Sequence, residues 1–176
     1  MKICVVGAGY VGLSLAVLLA QKYEVAALDI SEDKINSIKN GRSPIKDNEL
    51  EYYLQNKRLN LNATIDKHEA YSNADYIIIS TPTNYDIEKG SFDTSTVEQV
   101  ISDSLSFNSE ALIIIKSTIP IGFTDSMRVK FNKSDILFSP EFLRESKALY
   151  DNLYPSRIVI GDNSEIKTTD LFAESY

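Results

Sequence analysis

The sequence predicts an α/β fold in which a doubly wound, mainly parallel sheet carries helices on both faces. Short apolar runs alternate with segments of helical spacing along the chain, and this alternation is typical of a parallel sheet covered on both sides. The first run, Lys2–Val6, leads into a glycine-rich turn at residues 7–12, and the second run stops at Asp29. In such a sheet, ligands bind outside the carboxyl ends of the strands.

The opening strand is followed by the pattern G-x-G-x-x-G, which lies between a strand and a helix. Gly7 lets the chain turn sharply off the strand, Gly9 leaves room for a pyrophosphate, and Gly12 lets the helix pack closely on the sheet. The free N–H groups at the start of the helix then face the phosphates. Three glycines alone can mark no more than a tight turn, but this setting predicts a Rossmann-type dinucleotide site.

The second strand ends at Asp29, 17 residues after Gly12. A carboxylate at this point can accept both hydroxyl hydrogens of an adenosine ribose and repels a 2′-phosphate, which predicts NAD over NADP. Lys34 follows one turn into the next helix, where it either lines the adenosine pocket or is an ordinary surface lysine. The alternative that needs no cofactor is a doubly wound domain whose glycines serve packing alone.

The remaining elements follow from local patterns. Helical spacing predicts a helix capped by Ser31 and closed at residues 40–41, and further helices over residues 48–57, 66–72, 94–105 and 122–131. Apolar runs predict strands over residues 59–65, 76–80, 111–116, 136–138 and 158–161. Residues 86–93 are predicted as a polar loop. Ser139 as cap and Pro140 as first residue predict a helix through Glu145, and a last helix is predicted from residue 164.

Composition excludes several classes of function. A chain of 176 residues suits one domain with a core, or one domain and a fragment of another. The net charge of −7, with no block of Lys or Arg to offset it, argues against a nucleic-acid partner. The apolar runs are too short to span a bilayer, and the first of them is a core strand and not a signal peptide. The single cysteine, Cys4, and the single histidine, His68, predict a cytoplasmic protein without a metal site.

Three strand-end segments, residues 80–83, 116–122 and 139–145, are more specific than a generic nucleotide-binding fold. Together with the glycine turn and Asp29, they closely resemble the N-terminal half of the UDP-sugar and GDP-sugar dehydrogenases. The resemblance covers essentially the whole chain, and its most specific part is Ser-Pro-Glu-Phe-Leu-Arg-Glu at residues 139–145. It implies NAD as cofactor and oxidation of a sugar C6 alcohol to a carboxylate with two NAD. Within that resemblance, the sequence Phe-Leu-Arg-Glu at residues 142–145 favours UDP-glucose as substrate over UDP-N-acetylmannosamine, UDP-N-acetylglucosamine and GDP-mannose.

The resemblance also implies roles for individual residues. Thr118 positions a water and touches the nicotinamide, and Glu145 lies near the water that hydrolyses a thioester intermediate, a role that needs a proton acceptor. The cofactor is lined by further residues in the glycine turn and after the strand at residues 76–80, namely Tyr10, Val11, Thr81, Pro82 and Thr83. The sugar nucleotide is bordered by the segment Glu141, Phe142, Leu143, Arg144 and Glu145. On a helix, Glu141 and Glu145 would share one face, and the alternative is an ordinary charged helix face.

The family's catalytic cysteine and its dimerisation helix lie beyond residue 176. Cys4 cannot replace that nucleophile, because a thiol at the centre of a buried strand is neither exposed nor activated. We therefore expect residues 1–176 to be the NAD-binding domain of a truncated protein that lacks the central helix and the C-terminal UDP-binding domain. Such a chain would bind NAD without turning over UDP-glucose, whereas full-length members would form homodimers. A non-catalytic NAD-binding module and a structural remnant without a ligand are the alternatives.

Overall fold

A computed structural model describes residues 1–88 and 90–161. Its strands, in chain order, are β1 (Lys2–Val6), β2 (Glu24–Leu28), β3 (Leu61–Thr64), β4 (Tyr76–Ile79), β5 (Tyr85–Asp86), β6 (Ser91–Phe92), β7 (Leu112–Ile115) and β8 (Ile136–Phe138). Six of these form one sheet in the order β3-β2-β1-β4-β7-β8, and all its neighbours are parallel. The order reverses between β1 and β4, so a ligand crevice is expected outside the carboxyl ends of these two strands.

Helices cover both faces of this sheet. They are α1 (Tyr10–Leu19), α2 (Glu32–Lys39), α3 (Asn48–Asn56), α4 (Lys67–Tyr71), α5 (Ser95–Phe107), α6 (Phe123–Phe131) and α7 (Ala148–Leu153), with a 3-10 turn at Glu145–Lys147. In β1, Cys4 and Val6 face the core beneath α4, α5 and α6, whereas Ile3 and Val5 face the core beneath α1. Burial on both faces explains why the strands are continuous apolar runs, and the predicted doubly wound fold is confirmed.

Polar side chains begin three of these helices. The Ser31 hydroxyl accepts a hydrogen bond from the Lys34 N–H at 3.4 Å, as predicted for the cap of α2. Asp47 and Asp66 cap α3 and α4 in the same way, each through carboxylate oxygens that accept backbone N–H groups. Each cap satisfies donors that have no partner inside the helix. The sequence therefore contains the local signals that begin these three helices.

Three of the predicted elements are wrong. Residues 139–144 are not helical, and the helix starts only with the 3-10 turn that continues into α7. The backbone at Arg144 is extended, with ψ of 131°, and both its N–H and its guanidinium bind Asp151. Residues 158–161 make a single antiparallel bridge, Gly161 to Phe138, instead of a strand. The polar loop at residues 86–93 contains part of the β5-β6 hairpin, and the helix predicted from residue 164 lies outside the described residues.

Cys4 and His68 are the one cysteine and the one histidine of the sequence. Cys4 is fully buried, and burial raises the pKa of its thiol to about 12, so it is not an activated nucleophile. His68 is exposed on α4. In residues 1–88 and 90–161, the structure has no group of three or more His, Cys, Asp or Glu side chains placed to hold a metal ion. None of the helices in the same part of the chain combines the length and the apolar character needed to cross a membrane.

Candidate dinucleotide-binding site

The three positions of the turn require glycine to different degrees. Gly7 has φ of +99°, and a methyl group there would lie 2.7 Å from the carbonyl oxygen of Ser80. A methyl group on Gly12 would lie 1.8 Å from the carbonyl oxygen of Gly7, which is an overlap with backbone. At Gly9, in contrast, no heavy atom of the described residues other than Gly9 and its two chain neighbours lies within 4 Å of the same position. Gly7 and Gly12 are thus required by the fold itself, whereas Gly9 faces open space, and its contact with a diphosphate stays a prediction.

The N-terminus of α1 opens on this space. Gly9 is its N-cap residue, and no side chain in the described part of the chain caps it. The N–H groups of Tyr10, Val11 and Gly12 precede the first intrahelical bond, which Leu13 N–H makes to Gly9 O at 3.0 Å. These donors and the positive end of the helix dipole favour a phosphate group.

Asp29 lies beside the glycine turn at the end of β2. Its side chain is 8% exposed, and its Oδ2 accepts a hydrogen bond from Ala8 N–H at 2.7 Å. Oδ1 accepts from Ser31 N–H at 2.9 Å, and the Lys34 ammonium lies 3.2 Å from Oδ2. Lys34 is therefore next to Asp29, as its position one turn into α2 predicted, and its contact with the cofactor stays a prediction.

The loop after β4 is fixed to the carboxyl edge of the sheet. The Ser80 hydroxyl donates to Val6 O at 2.8 Å, which ties the loop to β1. The Ser117 hydroxyl, after β7, donates to Thr81 O at 2.7 Å, and the Thr96 hydroxyl donates to Pro82 O at 3.0 Å. These bonds place the loop along the crevice. Whether Thr81, Pro82 and Thr83 touch the cofactor stays a prediction.

The end of β7 carries a residue that the sequence analysis did not single out. Lys116 follows the strand, its side chain is only 2% exposed, and its ammonium lies 3.0 Å from Glu141 Oε2. Burial lowers the pKa of Lys116, and the Glu141 carboxylate opposes that shift. The sequence feature that could have indicated a buried lysine is the position of Lys116, directly after the apolar run of β7. Thr118, two residues later, is exposed at the same edge of the sheet.

The segment at residues 139–145 is divided between two places. Glu141 lies at the strand ends with Lys116, whereas Arg144 is bound to Asp151 through its Nε and Nη2 at 3.0 and 2.6 Å. Hydrogen bonds from Arg144 hold the pKa of Asp151 below its usual range. Phe142 is 55% exposed, with the Arg157 guanidinium 5.5 Å from its ring, while Leu143 is half-buried and Glu145 is exposed. Glu141 and Glu145 do not share a helix face, which corrects that expectation, and the contacts of this segment with substrate stay predictions.

The helix α7 is joined to α1 and α3 by buried polar bonds that the sequence did not predict. The Asn152 amide donates to the Ser14 hydroxyl at 2.8 Å, and that hydroxyl also bonds the carbonyl oxygen of Val11 at 3.1 Å in the first turn of α1. Asp47 accepts from Leu149 N–H at 3.1 Å with one oxygen and caps α3 with the other. The segment after β8 is thereby joined to α1, the helix that follows the glycine turn.

The glycine turn, the uncapped N-terminus of α1 and the Asp29 carboxylate define a dinucleotide-binding domain of the Rossmann class. The chain belongs to the UDP-glucose/GDP-mannose dehydrogenase family, since the model of that family's NAD-binding domain matches residues 1–176. NAD is therefore the cofactor that this domain binds, as Asp29 predicted.

Curated relatives support the same assignment. The chain is 57% identical over 169 residues to a UDP-glucose 6-dehydrogenase of Streptococcus pneumoniae, covering 94% of this chain and 43% of that protein. It is 51% identical over 179 residues to a UDP-glucose 6-dehydrogenase of Campylobacter jejuni, covering 99% of this chain and 46% of the relative. The chain thus spans less than half the length of these two proteins.

Solved structures show the same fold. A GDP-mannose dehydrogenase of Pseudomonas aeruginosa, solved as a ternary complex, matches all of this chain and 44% of its own, with a TM-score of 0.88 and 32% identity. A UDP-glucose dehydrogenase of Pyrobaculum islandicum matches 99% of this chain and 43% of its own, with a TM-score of 0.87 and 28% identity. The predicted fold and the predicted family are both confirmed.

Proposed function

We propose that this chain is the cofactor-binding part of a UDP-glucose 6-dehydrogenase. Together with the further chain length that its relatives have, it would oxidise the C6 alcohol of UDP-glucose to a carboxylate. Each of the two oxidations passes one hydride to one NAD, and water supplies the second carboxylate oxygen. The observation that carries the cofactor assignment is the Asp29 carboxylate, held 2.7 Å from Ala8 N–H beside the glycine turn.

In this proposal each part of the site has one task. The N–H groups at the start of α1 bind the diphosphate, and Asp29 with Lys34 binds the adenosine ribose. The exposed Thr118 lies at the nicotinamide end of the crevice, at the carboxyl end of β7. The loop of Thr81, Pro82 and Thr83 forms the wall between these two ends. Glu145 accepts a proton from the hydrolytic water, and residues 141–144 border the sugar nucleotide.

Titration calorimetry with NAD and NADP tests the cofactor part of the proposal. We expect NAD to bind and NADP to bind far more weakly, because the Asp29 carboxylate repels a 2′-phosphate. Asp29→Asn should weaken NAD by roughly tenfold to a hundredfold, the loss of a charged hydrogen bond, and should reduce the discrimination against NADP. Asp33→Asn is the matched control, since Asp33 is exposed in the first turn of α2. Equal binding of both dinucleotides to the unmodified chain would contradict the assignment.

Formation of NADH tests the substrate part of the proposal. The isolated chain with NAD and UDP-glucose should produce no NADH, because the cysteine that carries the thioester in this family is expected outside residues 1–176. A protein extended to the length of the relatives should form NADH fastest with UDP-glucose, in a comparison with UDP-N-acetylmannosamine, UDP-N-acetylglucosamine and GDP-mannose. UDP-glucose is preferred here because both curated relatives named above are UDP-glucose 6-dehydrogenases. NADH formed by the isolated chain would disprove the division of roles.

A further inference from the structure

The ion pair of Lys116 and Glu141 joins the two halves of the proposed site. Lys116 directly follows β7, and Thr118, which is expected at the nicotinamide, comes two residues later. Glu141 comes three residues after the end of β8. Since Ile115 and Phe138 are partners in the sheet, Lys116 and Ser139 are the next residues in register. The pair therefore lies where β7 and β8 both end, at the edge that carries the cofactor.

The path of the chain after β8 depends on one carboxylate. Within the described structure, the hydrogen bonds of residues 140–143 all involve Glu141, whose Oε2 accepts from Lys116 and whose Oε1 accepts from Phe142 N–H at 3.2 Å. The Ser139 hydroxyl does not contribute, because it is fully buried and has no hydrogen-bond partner among the described residues. Glu141 is thus the attachment point between the end of β8 and Arg144.

Lys116 is the more deeply buried member of the pair. Its side chain is 2% exposed and that of Glu141 is 16% exposed. A buried ammonium has a strong requirement for a counter-charge, whereas a carboxylate that reaches solvent does not need a buried partner. In the pair Arg144–Asp151, by comparison, the cation is 63% exposed, so solvent competes for it. The geometry therefore makes Lys116 the fixed group and Glu141 the group that it holds.

We propose that Lys116 is a positioning residue whose buried ammonium holds the Glu141 carboxylate, and with it residues 140–143, in the extended path that borders the sugar nucleotide. The part of this statement that concerns the sugar nucleotide rests on the proposed function. The control of the segment by Lys116 does not, and it is measurable in the chain without any ligand.

Amide hydrogen exchange in the whole chain, measured on peptides by mass spectrometry, tests this role. Lys116→Met keeps an apolar side chain in the buried position and removes the ammonium. In the peptide that covers residues 139–144 we expect exchange of the Phe142 amide, which is bound to the Glu141 carboxylate, to rise by at least about tenfold. Exchange in β1 and α1 should stay as in the unmodified chain. Lys133→Met is the matched control, because Lys133 is also largely buried, at 10% exposure, but pairs with Asp135 at the opposite end of β8. It should leave residues 139–144 unchanged.

A second variant separates positioning from loss of packing. Glu141→Gln keeps the shape of the side chain and removes its charge, so it should also raise exchange in residues 139–144. Because it leaves the Lys116 ammonium buried, it is expected to be the less stable single variant, and the double variant, which has no buried ammonium, carries the test if Glu141→Gln does not fold. The double variant should exchange no faster in this segment than Lys116→Met, because both changes remove the same bond. Unchanged exchange in residues 139–144, or an equal rise throughout the chain, would overturn the proposal. NAD calorimetry on the unmodified chain is independent of this result, so failure of the proposed function would be recognised separately.

Discussion

Gly12→Ala should destabilise the fold strongly, whereas Gly9→Ala should leave the fold intact and weaken NAD binding. In an isolated helix, alanine is more favourable than glycine by about 1 kcal/mol, so propensity alone predicts that Gly12→Ala is stabilising. The structure reverses that sign, since the added methyl group would lie 1.8 Å from the Gly7 carbonyl oxygen. Overlap with backbone cannot be relieved by a side-chain rotation, and we expect a loss of about 3 kcal/mol or more in the free energy of unfolding.

Gly9 makes the matched comparison in the same turn. Its φ of −96° suits alanine, and the methyl group would meet no heavy atom of the described residues within 4 Å. The cost in stability should therefore stay within about 1 kcal/mol. The methyl group would occupy the space of the diphosphate, and one carbon in a fitted site weakens binding by about 10- to 200-fold.

Urea unfolding and NAD calorimetry on both variants measure the two effects. We expect Gly12→Ala to lose much of its stability. Gly9→Ala should keep its stability and lose much of its affinity for NAD. If Gly9→Ala bound NAD as tightly as the unmodified chain, the diphosphate would not lie over this turn. If Gly12→Ala were as stable as the unmodified chain, the close contact between α1 and Gly7 would be incorrect.

The parts of the fold that the sequence predicted are those fixed by local pattern. The strands β4 and β7 are four-residue apolar runs, buried on both faces, and such runs leave little alternative to a central parallel strand. The glycine turn and Asp29 were predictable for a related reason, because the backbone geometry of a strand, a turn and a helix decides which residues fit. Neither required knowledge of a distant residue.

The parts that the sequence did not predict depend on distant partners. Pro140 after Ser139 is a good helix start by local rules, yet Glu141 binds Lys116, 25 residues earlier in the chain, and Arg144 binds Asp151. These bonds outweigh a helix propensity worth a few tenths of a kcal/mol per residue. The β5-β6 hairpin was missed for a similar reason, since each strand has two residues and the Tyr85 and Phe92 rings pack across it.

Glu141→Gln should be much less stable than Lys116→Met near neutral pH, although both variants break the same ion pair. In Glu141→Gln the lysine stays in a site where its side chain is 2% exposed but has lost the carboxylate charge. Removing one partner of a buried ion pair costs about 3–5 kcal/mol, whereas an apolar side chain in place of the buried cation costs far less. Adding Lys116→Met to Glu141→Gln should therefore restore stability instead of lowering it further.

The pH dependence of the stability gives this prediction a second signature. The usual lysine pKa is 10.5, and burial lowers the pKa of Lys116 in the fold. Between the lowered pKa and 10.5 the unfolded chain binds more protons than the folded chain, so the free energy of unfolding due to this group rises with pH. Because the Glu141 carboxylate raises the pKa of Lys116, Glu141→Gln should widen the window toward lower pH and regain stability as pH rises. Lys116→Met should show no such gain.

Differences between variants at each pH isolate this effect from other groups that titrate in the same range. Burial raises the pKa of the Cys4 thiol from 9.0 to about 12, so that the fold loses stability from this group as pH rises between these values. Burial also raises the pKa of Tyr71 and Tyr76, with the same sign. These contributions are common to all variants and cancel when Glu141→Gln is compared with the double variant. A stability difference between those two proteins that stays constant from neutral pH to pH 10.5 would show that Lys116 is not a buried cation held by Glu141.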